Sequence, residues 1–99
     1  MIIKLSPYSP LDPSATLEIK KRSDVLTING ERYDFRPLPE GATLPMEAIS
    51  GTWISQPVRR VDGELIITIR FPVGPEATAA ALYPADIINP PDGNVRLPQ

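Results

Sequence analysis

Apolar side chains occupy every second position on both sides of the Asn-Gly pair at residues 29–30. Leu26 and Ile28 precede the pair with this spacing, and Tyr33 and Phe35 follow it. A period of two is typical of a β-strand with one buried face. Asn-Gly suits a two-residue type I′ turn, because both central positions of that turn need a positive φ. The pattern predicts a hairpin that pairs Leu26 with Tyr33 and buries all four apolar side chains.

The run before this hairpin, residues 16–20, alternates in the same way. We expect it to pair with residues 25–28 through a turn at residues 20–23, which completes a three-stranded meander. The densest basic cluster, Lys-Lys-Arg at residues 20–22, would lie at that turn. Such a cluster is either a phosphate-binding patch or a solvated turn, and the acidic pI of about 5.0 favours the turn.

A second hairpin is predicted at the Asp-Gly pair of residues 62–63. Its return strand, residues 64–71, is the most apolar segment of the chain, with alternate residues from Leu65 to Phe71 on one face. Ile66 lies on the opposite face. A strand with apolar residues on both faces is usually central in a sheet or covered on both sides.

Whether Ile66 has a role in binding depends on which segment or molecule packs over its side chain. Within the chain this cover could come from the connector at residues 38–44 or from residues 75–83, and outside the chain from a second copy of the protein. A cover from within the same chain is favoured, because the many prolines create long connecting segments that have little independent structure. Ile66 remains a candidate contact residue, because exposed apolar patches often mark interfaces.

The outgoing strand of the second hairpin, residues 53–61, holds the other candidate contact residues. Pro57 cannot donate to a strand ladder, so it marks an edge or a bulge. Arg59 and Arg60 are candidates for partner contact, and on an edge strand they would also discourage edge-to-edge aggregation. Trp53 is either a core residue or a contact residue, with equal support for each.

Prolines limit the rest of the chain to connectors and short elements. The chain has 13 of them, and a proline inside a helix costs about 3 kcal/mol. We expect turn-rich connectors at residues 6–14 and 36–45 and a helix of at most two turns starting at Pro75. Toward the end we expect short strands at residues 87–88 and 95–97, joined by a turn at residues 90–94.

These elements predict an all-β protein with a single domain over residues 1–99. We expect a mainly antiparallel small sheet, sandwich or partial barrel built from two hairpins, with at most one short helix near residues 76–82. The length agrees with one domain, since domains most often contain about 100–150 residues.

The composition removes most routes to catalysis. The chain has no cysteine and no histidine, which excludes thiol catalysis, thiolate metal sites and a histidine general base. Its 12 acidic residues are scattered singly, without the spacing of a calcium loop or a recognisable catalytic pair. We expect no enzyme activity and predict no catalytic residue, no cofactor and no metal site.

Charge and hydropathy limit the partners. The net charge of −2 argues against nucleic acid. The aliphatic runs are far shorter than the ~20 residues of a membrane helix. Lys4 interrupts the apolar residues 1–3, so the sequence does not indicate a signal peptide. We therefore expect an intracellular protein with neither a membrane nor a nucleic-acid partner.

Several longer strings give the chain a family resemblance. They are MIIKLSP at residues 1–7, DVLTINGERYDF at 24–35, PLPEGATLP at 37–45, VDGEL at 61–65 and FPVGP at 71–75. Together they resemble a family of small uncharacterised proteins of tailed bacteriophages and prophages of Gram-negative bacteria, often encoded beside tail or tail-fibre genes. The resemblance covers most of the chain but contains no catalytic motif, so it assigns no functional residues.

The resemblance implies a non-enzymatic phage accessory protein that acts through contacts with itself or with a tail component. Such a protein would be located in the bacterial cytoplasm during expression or associated with the virion. The alternative is a small β module that binds a glycan or a peptide through Trp53 and neighbouring edge backbone.

Overall fold

The strands of the protein form two sheets. The computed structural model describes residues 1–12, 15–49, 51 and 53–98. Within them the elements are β1 (Ile2–Tyr8), β2 (Ile19–Arg22), β3 (Val25–Ile28), β4 (Glu31–Asp34), β5 (Thr43–Leu44), a 3₁₀ turn (Met46–Ala48), β6 (Val58–Val61), β7 (Glu64–Pro72), α1 (Ala79–Leu82), β8 (Ile87–Ile88) and β9 (Gly93–Asn94). The predicted all-β fold with two hairpins is confirmed.

The five-stranded sheet has the order β5-β6-β7-β1-β8. The most apolar strand, β7, is central in it, as predicted. Its neighbour β1 runs parallel to it, so that Ile3 pairs with Ile67. The predicted connector at residues 6–14 is wrong at its start, because residues 6–8 continue β1. Tyr8 still accepts a backbone hydrogen bond from Val73 at 2.9 Å, so pairing persists beyond Pro7.

The four-stranded sheet has the order β4-β3-β2-β9 and contains the predicted meander. Leu26 pairs with Tyr33. The Asn29 and Gly30 backbones have φ angles of 47° and 84°, which fit the two positive angles of a type I′ turn. The first hairpin is therefore confirmed in both its register and its turn.

The turn before this hairpin lies further along the chain than predicted. β2 begins at Ile19, and Arg22 pairs with Val25, so the turn contains only Ser23 and Asp24. Ser23 has a φ of 53°, and its N–H donates to Asp92 Oδ1 at 3.0 Å. The local pattern could not show this turn, because a carboxylate from the far end of the chain holds it.

The second hairpin forms at the predicted pair, with Val61 opposite Glu64. The Asp62 and Gly63 N–H groups both donate to the Glu40 carboxylate, at 2.8 and 2.5 Å. The connector before β5 is therefore fastened to the turn of the hairpin.

Pro57 interrupts the pairing with β7, as predicted. Ile54, three residues before Pro57, forms an isolated bridge with Ile69. The register of β6 would instead place Ile54 opposite Phe71. The chain thus shifts its register at Pro57, which is consistent with the predicted bulge.

The predicted helix is shorter than its start signals indicated. α1 begins after Thr78, whose hydroxyl accepts a hydrogen bond from the Ala81 N–H at 3.2 Å. Pro75 and Glu76 lie in a preceding turn, so the predicted start at Pro75 is wrong. A threonine N-cap satisfies a free amide of the first turn, which an N-terminal proline cannot do.

The last strands are confirmed in part. β8 lies at the predicted position. The predicted strand at residues 95–97 is wrong, because β9 pairs two residues earlier, with Gly93 opposite Lys21. The Val95 N–H then donates to the Ile19 carbonyl at 2.8 Å. The predicted turn at residues 90–94 consequently ends before Gly93.

One cluster of buried side chains joins the two sheets. Ile3, Ile67 and Ile69 of the five-stranded sheet are fully buried, as are Leu26 and Ile28 of the four-stranded sheet. Each sheet therefore has an inner face toward this core and an outer face turned away from it.

Candidate interaction face

The outer face of the five-stranded sheet carries a row of aligned side chains. Paired residues on neighbouring strands share a face of the sheet. The strand register therefore aligns Thr43, Arg59, Ile66, Ile2 and Ile88 across all five strands. We call the side of the sheet that bears this row the outer sheet face.

Ile66 lies near the middle of the outer sheet face. It is partly buried, between the fully buried Leu65 and Ile67 on the inner face. A shallow groove of about 390 Å³ surrounds it, lined by Lys4, Thr43, Gln56, Pro57, Arg59, Ile66 and Thr68. Of the predicted connector at residues 38–44, only Thr43 lines this groove. Residues 75–83, the other predicted cover, do not line it.

Apolar surface extends from Ile66 toward both ends of the sheet. Ile2, the neighbour of Ile66 on β1, is also partly buried. Ile88 at the far edge has 66% of its surface exposed, and Val61, two residues from Arg59 on β6, has 40% exposed. Ile2 and Ile88 are not among the candidate residues predicted from the sequence, because β1 is not among the predicted strands. Alternation through residues 2–6 was the available signal.

Charged groups of both signs lie near Ile66 on the outer sheet face. The Glu64 carboxylate, two residues before Ile66 on β7, is paired with the Met1 amino group. Arg59 lies beside Ile66, and Arg70 lies beside Ser6 further along the sheet. Among the described residues, neither arginine has an ion pair within 4 Å. Lys4 is 3.4 Å from Asp86, and both side chains are about half exposed. The outer sheet face is therefore apolar at its centre with unpaired guanidinium groups beside it.

Arg60 has a different environment from Arg59. Its side chain is 14% exposed. Its Nε donates to the Leu38 carbonyl at 2.7 Å, and its Nη2 donates to the Phe35 carbonyl at 3.1 Å and to Asp24 Oδ2 at 3.2 Å. Arg60 therefore ties β6 to the open end of the first hairpin instead of facing a partner.

The predicted edge position of this arginine pair is wrong. β5 pairs with β6, and the Arg60 backbone also exchanges hydrogen bonds with Gly41 and Ala42. The proline-rich connector returns to cover this edge, which the local pattern could not reveal.

Trp53 is half-buried and packs against the core. Its carbonyl accepts a hydrogen bond from the Arg70 N–H at 2.8 Å, so its backbone is already paired with β7. A sugar usually stacks on an exposed aromatic ring, whereas the Trp53 side chain is partly buried. Its placement therefore favours the core interpretation over the contact interpretation.

The Tyr33 hydroxyl links β4 to the segment that begins at Trp53, because it accepts a hydrogen bond from the Trp53 backbone. The Tyr33 hydroxyl donates to Glu31 Oε2 at 2.7 Å. Burial, followed by this hydrogen bond, raises the pKa of Tyr33 to about 12. The buried phenol is consequently neutral well above the pH at which a free tyrosine ionises.

Tyr33→Phe is expected to reduce the loss of stability at alkaline pH. With the folded pKa raised above its ordinary value of 10.0, the stability from Tyr33 is complete below pH 10 and is lost as the pH rises toward 12. Urea unfolding across this range checks the prediction. Tyr83→Phe is the control, because Tyr83 is 83% exposed; equal alkaline losses in both variants and the wild type would contradict it.

The described residues contain no group of three or more acidic, histidine or cysteine side chains arranged to hold a metal ion. None of their helices is long and apolar enough to cross a membrane. A scan against protein-family models, a search of curated proteins and a search of solved structures each found no match to this chain. The candidate site therefore depends on the geometry of the chain alone.

Proposed function

We propose that this protein is non-enzymatic and acts by binding another protein through the outer sheet face. The observation that carries the proposal is the aligned apolar row through Ile66, Ile2 and Ile88, with Ile88 66% exposed. Burying a fully exposed isoleucine side chain contributes about 1.5–3 kcal/mol, and the partly buried Ile66 and Ile2 contribute less. A few such contacts provide a useful affinity without any catalytic group.

The charges beside the row determine what kind of partner fits. Arg59 and Arg70 would each be costly to bury without a counter-charge. A matching partner therefore presents an apolar patch with carboxylates at its margin. Planar guanidinium groups bind carboxylates through paired hydrogen bonds, which also fixes the orientation of the two proteins.

The area of the face indicates the strength of the contact. Five strands spaced by about 4.8 Å span roughly 20 Å, and the longer strands have a similar length. Such a face buries about 800 Å² in total over both partners, which is below the size of standard stable interfaces. The proposed contact is thus transient, or it is strengthened by repetition in a larger assembly.

The resemblance to small proteins of tailed phages supports a partner in a tail assembly. A repeated assembly would supply the multiple copies that a small contact area requires. In this proposal the protein is made in the bacterial cytoplasm and binds a tail component or a second copy of itself. The glycan-binding alternative has less support, since Trp53 is half-buried against the core.

Ile66→Asp is expected to abolish association and leave the fold intact. The new carboxylate would lie in the outer groove and disrupt an apolar contact, whereas Ile67→Asp would place an unpaired charge in the core and unfold the protein. Sedimentation and thermal melting of both variants check this prediction. The partner assay is co-purification of phage tail proteins from an induced lysogen that carries each variant.

Leu82→Asp is the control, because Leu82 is 44% exposed, lies on α1 and does not line the groove around Ile66. It should associate like the wild type. The proposal is wrong if Ile66→Asp associates normally, or if the wild-type protein neither self-associates nor retains a tail protein. A fully unfolded Ile66→Asp would instead show that this position is part of the core.

A further inference from the structure

A basic groove of about 470 Å³ lies on the outer side of the four-stranded sheet. Its lining residues are Lys20, Lys21, Arg22, Ser23, Val25, Thr27, Arg32 and Arg36. It therefore collects five of the ten basic residues of the chain. We call it the basic groove; it belongs to a different sheet from the outer sheet face.

Strand alternation builds the walls and the floor of the basic groove. β3 lies between β2 and β4, and its outward residues Val25 and Thr27 are uncharged. The register places Lys20 and Arg32 on either side of Thr27, and Arg22 beside Val25. Long basic side chains therefore stand along a low, neutral floor that follows β3.

The wall formed by β4 is partly neutralised. Arg36 donates to both oxygens of Asp34, at 2.9 and 2.7 Å, and this pairing lowers the pKa of Asp34 to about 2. Arg32 is 3.9 Å from the same carboxylate, and its side chain is 63% exposed. Asp34 is thus committed to Arg36, which leaves the Arg32 guanidinium available to a ligand.

The wall formed by β2 also has an available cation. Lys21 contacts Asp92 at 2.8 Å, and Lys20 lies 3.4 Å from Glu18 with both side chains well exposed. Arg22 has no ion pair within 4 Å among the described residues. Arg22 therefore provides a guanidinium group with no ion pair on one wall, and Arg32 provides an exposed guanidinium group on the other, where its contact with Asp34 is long at 3.9 Å.

The spacing of these cations matches an extended peptide. Lys20 and Arg22 are two residues apart on one strand, a separation of about 7 Å. The same distance separates alternate side chains of any extended chain. The two walls lie two strand spacings apart, about 10 Å, so a peptide backbone fits between them with carboxylates reaching either side.

Nucleic acid fits the basic groove less well. The lining contains no aromatic side chain, so bases would have no ring to stack on. Asp34, Asp92 and Glu18 border the basic residues and would repel the phosphate of every nucleotide, whereas a peptide with acidic residues only at alternate positions can place neutral residues beside them.

We propose that the basic groove binds an extended acidic segment of a partner protein, with carboxylates at alternate positions. Arg22 and Arg32 hold carboxylates on opposite walls, and Lys20 supports the repeat along β2. Val25 and Thr27 let the peptide backbone lie close to the sheet. This binding site is independent of the outer sheet face.

The test uses the full chain and three fluorescent probes of equal charge. One is a peptide with glutamate at alternate positions and serine between them, and one has the same composition with its glutamates in a single block. The third is a single-stranded oligonucleotide. Fluorescence anisotropy at low salt should show the tightest binding for the alternating peptide. Arg22→Glu/Arg32→Glu should weaken it by about tenfold or more, since two charge-assisted contacts are reversed.

Arg96→Glu is the control for a charge reversal outside the basic groove, because Arg96 is exposed and lines neither this groove nor the groove around Ile66. It should bind the alternating peptide like the wild type, and so should Ile66→Asp, which separates this proposal from the proposed function. Should the double reversal fail to fold, Arg22→Gln/Arg32→Gln takes its place. Tighter binding of the block peptide or the oligonucleotide overturns the proposal, as does the absence of binding at low salt.

Discussion

Ile3→Ala is expected to lower the free energy of unfolding by about 2–5 kcal/mol, the usual range for truncating a fully buried isoleucine. Ile3 is 0% exposed and pairs with Ile67 in the parallel ladder between β1 and β7. Both side chains belong to the cluster that joins the two sheets. For a domain whose total stability is roughly 5–15 kcal/mol, this loss is large enough to appear as a lower urea midpoint.

Ile2→Ala provides the comparison, since it makes the same chemical change on the same strand. Ile2 faces outward and is partly buried, so less apolar surface returns to water and no closed cavity forms. Its expected cost is about 1 kcal/mol or less. Equal losses in the two variants would mean that β1 does not turn the face with Ile3 toward the core.

Gly51→Ala is the second substitution with a large expected effect. Gly51 has a φ of +102°, and an added Cβ would overlap the Tyr33 hydroxyl and lie 2.6 Å from Glu31 Oε2. The left-handed backbone costs about 1–2 kcal/mol, and overpacking adds about 1–3 kcal/mol. We expect a total loss on the order of 2–5 kcal/mol by urea unfolding.

Gly30→Ala separates these two contributions. Gly30 also has a positive φ, +84°, but an added Cβ there meets nothing within 4 Å. It should therefore show the backbone cost alone. Tyr33→Phe in the Gly51→Ala background should restore part of the lost stability, because it removes the hydroxyl that the new methyl group meets. If Gly51→Ala costs no more than Gly30→Ala, the contact between residue 51 and Tyr33 is absent.

The elements that the sequence predicts correctly are those determined by neighbouring residues. The first hairpin follows from the alternation around the Asn-Gly turn, and the second from the Asp-Gly turn and the apolar run after it. In each, one hydrophobic face fixes the register, because a slip of one residue would turn that face outward. Pro57 could also be interpreted locally, since the missing N–H interrupts a ladder wherever it falls.

The misplaced elements depend on partners that are distant in the chain. β1 needs β7 beside it, the tight turn at Ser23 needs the Asp92 carboxylate, and β5 needs β6. None of these contacts has a local signature. The same limit applies to function: Ile66 could be selected from its own strand, whereas its neighbours Ile2 and Ile88 emerged only once the strands were aligned.

The parallel pairing of β1 with β7 also has a consequence for the order of folding. The meander of β2, β3 and β4 closes through two-residue turns, so its loop-closure entropy is small, and it can form as soon as those residues are available. β1 is synthesised before the meander, but its main partner lies more than sixty residues later. β1 therefore leaves the ribosome before the meander but gains its neighbour β7 after it, and the five-stranded sheet is completed only after β7 has been made.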